Sequence, residues 1–309
     1  MLNIIKLLED NLNKETPIKS LDNKDIPKVY LFPSEAMTYT PSGEPLGACI
    51  RQVWFNKKNA PVTNPRESYN NFIFEAGRMW EDWLVDQYKQ TNIYLDRNIK
   101  LVDNALSISC EIDILHINPE TGETEITECK QYNGSNYYAA KELLGSKHVL
   151  PKPKDQNLLQ CVKYLMVSKR YGINKVNLVY LDRSCGSFYN NKQFTIYLQG
   201  DKIYYDTFFS GELVTIEVTE FDINSISEKD KALIQMIDLD VAPPPDYFIS
   251  YNKESLELDY KRGNISKTAY TKIIKGEENI EDHGSWLCKY CSFSKNKLTG
   301  ESTCIDYIG

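Results

Sequence analysis

The side chains best suited to chemistry lie on two stretches in which apolar and polar residues alternate. Asp113 belongs to the first stretch, whereas Glu128 and Lys130 belong to the second. Because side chains two residues apart on a strand point to the same face, Glu128 and Lys130 can address one point. The link between the stretches, NPETGE, is typical of a tight reversal, so the pattern predicts a hairpin that brings Asp113 beside them.

Two carboxylates at one point favour a hard divalent cation, Mg²⁺ or Mn²⁺. Such an ion polarises a phosphate and activates a water molecule for in-line attack. Lys130 would orient or deprotonate that water, or would neutralise charge that develops on the phosphate. The alternative is an ordinary strand face of alternating charge, because Asp followed by Glu-x-Lys is a common pattern.

A predicted helix over residues 67–90 precedes the hairpin, since its apolar residues recur at spacings of three and four. Gly77 and Glu81 lie four residues apart and therefore share one face of this helix. Glu81 is a candidate third oxygen ligand for the cation. The alternative is a solvated residue beside an apolar stripe.

A second predicted helix, near residues 154–171, follows the hairpin. It places Gln160 and Tyr164 on one face. An amide and a phenol can hydrogen-bond to a DNA phosphate, or to the groups around Lys130. The alternative is the half-exposed edge of an amphipathic helix.

Bulk composition sets limits on the function. The chain has 309 residues, 41% hydrophobic and 26% charged, which predicts a packed core. Its net charge of −7 excludes a uniformly basic coat but leaves room for a local phosphate site. Because no apolar run is long enough to span a bilayer and the acidic N-terminus does not resemble a secretory signal, we expect a cytoplasmic protein with no membrane partner.

The cysteines separate into two groups. Disulfides are not expected in an intracellular chain, and Cys110, Cys129, Cys161 and Cys185 are interpreted as small apolar side chains. Cys288 and Cys291 have C-x-x-C spacing, and Cys304 follows after twelve residues. A closed metal site needs a fourth ligand, for which Cys49 is the main candidate and His283 the alternative. Cys304 is otherwise a free thiol near the terminus.

The remaining pattern predicts an α/β fold, with a central mixed sheet and helices on both sides. Residues 31–66 are rich in Pro, Gly, Asn and Ser and are interpreted as irregular, whereas APPPDY at 242–247 is the best boundary. Further strands are predicted near 175–182, 193–199, 202–208 and 212–218, with a helix over 225–236. Three regions are predicted. The N-terminal region, 1–66, contains the first cysteine; the core spans 67–241; and the C-terminal helical region, 242–309, contains the other cysteines.

Two groups of basic residues are candidate contacts for nucleic acid. The first group lies among aromatic residues, an arrangement that suits single strands because bases stack and phosphates pair with cations. Charged loops are otherwise simply solvated. The first group is Arg51, Lys57, Lys58 and Arg66 with Trp54 and Phe55, and the second is Lys141, Lys147, Lys152 and Lys154.

The order of these motifs resembles the RecB-like branch of the PD-(D/E)XK nucleases. That branch includes the RecB and AddB helicase–nucleases and the CRISPR-associated iron–sulfur nucleases. The matching pieces are GRMWE (77–81), CEID (110–113), ECK (128–130) and QCVKY (160–164). The glycine that precedes the aspartate in the family is replaced by Cys110, and Glu81 stands where many members have His.

The resemblance implies a restriction-endonuclease-like core and metal-dependent hydrolysis of DNA, usually exonucleolytic on single strands or free ends. It implies that Lys130 is catalytic and that Gln160 and Tyr164 support it. The implied metal ligands are Glu81, Asp113, Glu128 and the carbonyl of Cys129.

In the iron–sulfur branch, one cysteine precedes the core and three follow it. Cys49 with Cys288, Cys291 and Cys304 has this layout, which implies a 4Fe–4S cluster that joins the N- and C-terminal regions. The long gap before Cys304 departs from the family and keeps Zn²⁺ as an alternative. A homo-oligomer, or protein partners in recombination, repair, phage DNA metabolism or CRISPR adaptation, stays open. The competing functions are a non-catalytic nucleic-acid-binding subunit and a zinc-stabilised structural protein.

Overall fold

The computed structural model contains two compact units, each built from two separate stretches of chain. The first unit comprises Met1–Gly47 and Ser68–Asp230, and the second comprises Ala48–Glu67 and Lys231–Gly309. The division into three regions stays a sequence prediction. The structure describes residues 29–65, 68–135, 137–146, 148–185, 190–261, 265–296 and 299–306.

The first unit is organised around a seven-stranded mixed sheet in which the strands follow chain order from β3 to β9. All neighbours are antiparallel except β5 and β6, which are parallel. A separate antiparallel pair is formed by β1 and β2. The strands are β1 (Met37–Tyr39), β2 (Pro45–Gly47), β3 (Tyr94–Asp103), β4 (Ile108–Ile117), β5 (Thr124–Tyr132), β6 (Lys175–Asp182), β7 (Lys192–Gln199), β8 (Lys202–Phe209) and β9 (Glu212–Glu217).

Nine α-helices are found in the described residues, together with short 3₁₀ turns. None of the described helices combines the length and the apolar character that crossing a membrane requires. The helices are α1 (Ile50–Lys57), α2 (Ser68–Gln90), α3 (Tyr137–Leu144), α4 (Asp155–Ser168), α5 (Ile223–Asp238), α6 (Lys253–Lys261), α7 (Lys267–Ile274), α8 (Trp286–Lys289) and α9 (Thr303–Asp306).

Helices cover both faces of the sheet, as predicted. On one face, Leu84 and Val85 of α2 pack with Ile114 of β4. On the other face, α4 buries an apolar stripe in the main core, together with Ile126 of β5 and Val176 of β6. The chain runs from β5 through α4 to β6, and this helical crossover lets the two strands lie parallel.

Most predicted elements are confirmed, including the hairpin of β4 and β5 and the helices α2 and α4. Several elements were missed, among them β1, β2, α1, β3 and α3. Helix α1 lies within residues 31–66, which were wrongly interpreted as irregular; it forms because Ile50, Val53 and Trp54 make one buried face. Strand β3 was also missed, because charged residues interrupt its apolar alternation.

Candidate active site and cysteine cavity

The two hairpin carboxylates lie where strands β4 and β5 separate. Pairing between these strands runs from Ile117–Thr124 only as far as Ile114–Thr127. At the next position, Oδ2 of Asp113 accepts a hydrogen bond of 3.0 Å from the backbone N–H of Cys129. Burial and the nearby charge of Glu128 raise the pKa of Asp113 well above its ordinary value.

Glu128 is buried, with 1% of its surface exposed, and its two oxygens have different environments. Oε1 accepts a hydrogen bond of 2.7 Å from Nε2 of Gln160 and pairs with the ammonium of Lys130. Oε2 is buried and has no hydrogen-bond partner in the described structure. Since a buried carboxylate oxygen is costly to leave unsatisfied, this atom marks a place for a ligand with positive charge.

Lys130 is held as a cation. Burial alone would lower the pKa of its ammonium, but the carboxylates of Glu128 and Asp113 outweigh burial and raise that pKa. The side chain keeps an exposed fraction of 29%, so it is not sealed inside the core. Of the predicted roles, orientation of water and neutralisation of phosphate charge fit this state better than deprotonation.

The face of α4 supports Glu128 through a chain of hydrogen bonds. Nε2 of Gln160 also donates to the phenolic oxygen of Tyr164, at 3.0 Å, and the Tyr164 hydroxyl donates to the carbonyl of Glu111 at 3.1 Å. Burial and the charge of Glu128 raise the pKa of Tyr164 well above its ordinary value, which keeps the phenol neutral. Gln160 and Tyr164 therefore link the Glu128 carboxylate to the backbone of Glu111 on β4.

Glu81 lies near the other two carboxylates but is already paired. Its Oε1 is 2.8 Å from Nη2 of Arg97, and Nη1 of the same guanidinium is 2.6 Å from Asp82. Burial raises the pKa of Glu81 despite Arg97, and the charges of Asp82 and Glu128 add to this effect. Arg97 belongs to the missed strand β3, so nothing in the motif spacing indicated it.

Gly77 lets α2 approach the sheet closely. A Cβ atom at this position would lie 3.0 Å from Nε2 of Gln131 on β5. That amide donates a hydrogen bond of 2.7 Å to the carbonyl of Ile73, one turn before Gly77. A larger side chain would push the helix away from β5, and Glu81, one turn later, would move with it.

The charges of this site fit a divalent cation. Counting Asp82, four carboxylates face two cations, Lys130 and Arg97. Hard oxygen ligands of this kind suit Mg²⁺ or Mn²⁺. In the described residues, no three His, Cys, Asp or Glu side chains already stand as a complete ligand group for one ion. The Cys129 carbonyl stays a predicted ligand, whereas its N–H is engaged with Asp113.

The four predicted cysteine ligands line one cavity in the second unit. Cys49, Cys288, Cys291 and Cys304 all contribute to its wall, and much of the remaining wall is apolar, as at Leu287. Cys49 precedes the first turn of α1, whereas the other three come from the C-terminal stretch. His283, the alternative ligand, does not line the cavity and lies 3.1 Å from Glu278.

Burial keeps the thiols of this cavity protonated and neutral. Burial and the proximity of the other three thiols raise the pKa of Cys288. Burial also raises the pKa of Cys304 to about 11, although Arg51 opposes the shift. Four buried thiols can ionise together only if a metal compensates their charge.

The predicted platform for nucleic-acid bases is wrong. Trp54 and Phe55 have exposed fractions of 1% and 0%, because both pack inside the second unit, where Phe55 contacts Phe293. Of the neighbouring cations, Lys58 pairs with Asp240 at 2.7 Å. Arg66 lies outside the described residues.

The second basic group is partly neutralised. Lys152 pairs with Glu220 and Asp155, at 2.9 and 3.1 Å, whereas Lys147 lies outside the described residues. Lys154, which precedes α4, is different. Its pKa is lowered by partial burial and by the positive charge of Arg183.

Lys154 and Arg183 lie beyond the ends of the parallel strands. The backbone N–H of Lys154 donates to the hydroxyl of Tyr180, whose backbone is opposite Lys130 in the ladder. The backbone N–H of Arg183 donates to the carbonyl of Tyr132, at the end of β5. No ion pair joins either cation to a carboxylate within the described parts of the chain. Lys154 and Arg183 thus carry positive charge that no carboxylate neutralises directly in the described residues.

The sequence was compared with protein-family models and with curated proteins. No protein-family model matches the sequence, and no curated protein matches it. The geometry of the two sites is therefore the basis for the functional conclusion.

Proposed function

We propose that this chain is a divalent-metal-dependent DNA nuclease with a RecB-like, restriction-endonuclease-like core. The observation that carries the proposal is the buried Oε2 of Glu128, which has no hydrogen-bond partner in the described structure and lies beside Asp113 and Lys130. A structural ion pair between Lys130 and Glu128 alone would not need the second buried carboxyl group, Asp113, beside it.

Asp113, Glu128 and Glu81 would hold Mg²⁺ or Mn²⁺, with the Cys129 carbonyl as a further ligand. The ion supplies Lewis-acid polarisation of the phosphate and a more acidic water. Lys130, already a cation, neutralises negative charge on the phosphate and orients the attacking water. Gln160 holds Glu128, and Tyr164 holds Gln160, so that the carboxylate does not need to reorganise during the reaction.

We further propose that Cys49, Cys288, Cys291 and Cys304 hold a 4Fe–4S cluster, with Zn²⁺ as the alternative. All four thiols line one cavity of the second unit, which supports a shared metal centre. The site would stabilise the second unit, because the free energy of metal binding becomes free energy of folding.

The substrate supported by this site is DNA with a single strand or a free end, in recombination, repair, phage DNA metabolism or CRISPR adaptation. Lys154 and Arg183 support a phosphate contact next to the reacting one.

The test is cleavage of end-labelled single- and double-stranded DNA with Mn²⁺, with Mg²⁺ and with EDTA. Lys130→Ala is compared with Lys202→Ala, which changes an exposed lysine on β8 that pairs with Glu217. We expect metal-dependent products from the wild type and from Lys202→Ala, and a loss of about 100-fold or more in Lys130→Ala. Equal products from both variants, or no metal-dependent product at all, would contradict the proposal. Binding of DNA without cleavage would instead support a non-catalytic subunit.

A further inference from the structure

Strand β3 contains a residue in the left-handed conformation directly opposite Asp113. Asn98 has a φ of +54°, although it lies inside the strand. The regular pairs on either side are Arg97–Ile114 and Ile99–Ile112, so Asn98 and Asp113 occupy the position between them. A non-glycine residue with positive φ in a strand is uncommon and marks a local constraint.

At this position, the side chains of both strands change from one face of the sheet to the other. Ile112 packs in the core that contains α4, whereas Ile114 packs against α2 on the other face. In a regular strand, two residues at this spacing would share one face. The partner strand changes in the same way, because Ile99 packs with the α4 core and Arg97 pairs with Glu81 of α2.

We infer that Asn98 is a positioning residue for Asp113, an inference that rests on the proposed nuclease function. Its left-handed backbone conformation lets the side chains of β3 and β4 change to the opposite face of the sheet at the same position. Asp113 is thereby released from regular pairing on the β3 side, and its carboxylate turns to the Cys129 N–H and to Glu128. Pairing with β5 has also ended at this point, so Asp113 stands in a gap between two ladders.

The residue type agrees with this role. Asn is among the few residues that adopt positive φ readily, and Gly adopts it without a steric penalty. The Asn98 side chain is exposed and contributes no hydrogen bond that a substitution would remove in the described structure. The backbone conformation, and not the amide group, is therefore the property that matters.

The test compares Asn98→Val, Asn98→Gly and Asn92→Val. Asn92 has a φ of +58° in the exposed turn before β3, so valine there imposes the same strain away from the carboxylates. We expect both valine variants to lower the Tm by similar amounts, about 2 to 8 °C. Only Asn98→Val should lower kcat, by about 100-fold, with little change in KM for DNA. Asn98→Gly should keep most of the activity, since glycine keeps the conformation.

A second measurement does not need catalysis. Calorimetric titration with Mn²⁺, without DNA, should show affinity about tenfold or more weaker in Asn98→Val, and near that of wild type in Asn92→Val and Asn98→Gly. If Asn98→Val does not fold, Asn98→Ala replaces it. Equal kcat and Mn²⁺ affinity in the two valine variants, or equal losses in Asn98→Gly and Asn98→Val, would overturn the inference. A wild type that binds Mn²⁺ but never cleaves DNA would refute the proposed nuclease and leave the positioning role to be decided by the titration.

Discussion

The Cys129 backbone N–H and the Asp113 carboxylate form a 3.0 Å hydrogen bond in place of the strand pairing that ends one residue earlier. The Asp113 side chain thus accepts the hydrogen bond that a backbone carbonyl would accept in a regular ladder. Because this hydrogen bond needs only an acceptor oxygen, the charge of Asp113 is not required for the fold. Burial and the nearby Glu128 raise the pKa of Asp113, so ionising this carboxyl group is unfavourable and folding alone does not explain its presence beside Glu128.

Asp113→Asn should therefore separate stability from activity. Asn keeps an acceptor for the Cys129 N–H and removes a carboxyl group whose ionisation is opposed by burial and by Glu128. We expect an unchanged or higher free energy of unfolding, by up to about 2 kcal/mol, with metal-dependent cleavage reduced by 100-fold or more. Urea unfolding and the DNA-cleavage assay check the two halves. A clear loss of stability would mean that the carboxylate is structural.

Cys304→Ser should remove or weaken the metal centre in the second unit. We expect loss of brown colour and of absorbance near roughly 400 nm in anaerobically purified protein, together with a lower Tm. Cys185→Ser is the matched control, because Cys185 is an exposed thiol of the first unit. Colourless wild-type protein that contains about one zinc per chain would decide for Zn²⁺. Wild-type protein with neither metal would contradict a metal centre.

Lys154 and Arg183 should contribute to DNA binding through charge alone. In a Lys130→Ala background, replacing both with Gln should reduce the slope of log K against log salt by about 1.4 to 1.8. Binding at several salt concentrations, measured by fluorescence anisotropy, checks this. Lys202→Gln should leave the slope unchanged, because Glu217 already neutralises that lysine. An unchanged slope in the double variant would place the DNA path elsewhere.

Asp182 should stabilise the loops beyond the parallel strands in a pH-dependent way. Burial alone would raise its pKa, but hydrogen bonds from Ser184, Asn190 and Gly134 outweigh burial and lower it to about 2. The pKa of Asp182 in the folded protein is lower than its unfolded value of about 3.9. The stabilisation from its carboxylate is therefore complete above about pH 4 and is lost as the pH falls towards 2.

Asp182→Asn should thus lower the free energy of unfolding by about 1 to 3 kcal/mol at pH 7. The difference from wild type should shrink between about pH 4 and pH 2, as measured by urea unfolding across that range. Asp206→Asn, in the middle of β8 and partly exposed, is a comparison within the same sheet. A difference that stays constant with pH would contradict the role given to the carboxylate.

The sequence predicted the elements that have strong periodicity. The hairpin of β4 and β5 alternates apolar and polar residues, and α4 has a clear apolar stripe, so each was found within a few residues of its bounds. The same elements place Asp113, Glu128, Lys130, Gln160 and Tyr164 together, which is why the site residues could be named before the fold.

The missed features depend on contacts that no local pattern contains. Strand β3 lies at an edge of the sheet and carries Asp96, Arg97 and Lys100, which break the alternation that identifies a strand. The Arg97–Glu81 pair depends on that strand. Trp54 and Phe55 were misjudged because an aromatic residue beside cations has the same sequence signature whether it is buried or exposed.

The cysteine cavity also has a consequence for the order of events during synthesis. Its wall combines Cys49 with three cysteines that are translated about 240 to 255 residues later. At a translation rate of roughly 5 to 20 residues per second, the other three cysteines are synthesised on the order of 10 to 50 seconds after Cys49. Closing so long a loop costs about 5 kcal/mol of chain entropy, which is independent of the sequence between the ends. The cavity wall is thus completed late in synthesis, and the proposed metal centre would make the yield of the folded second unit depend on metal supply.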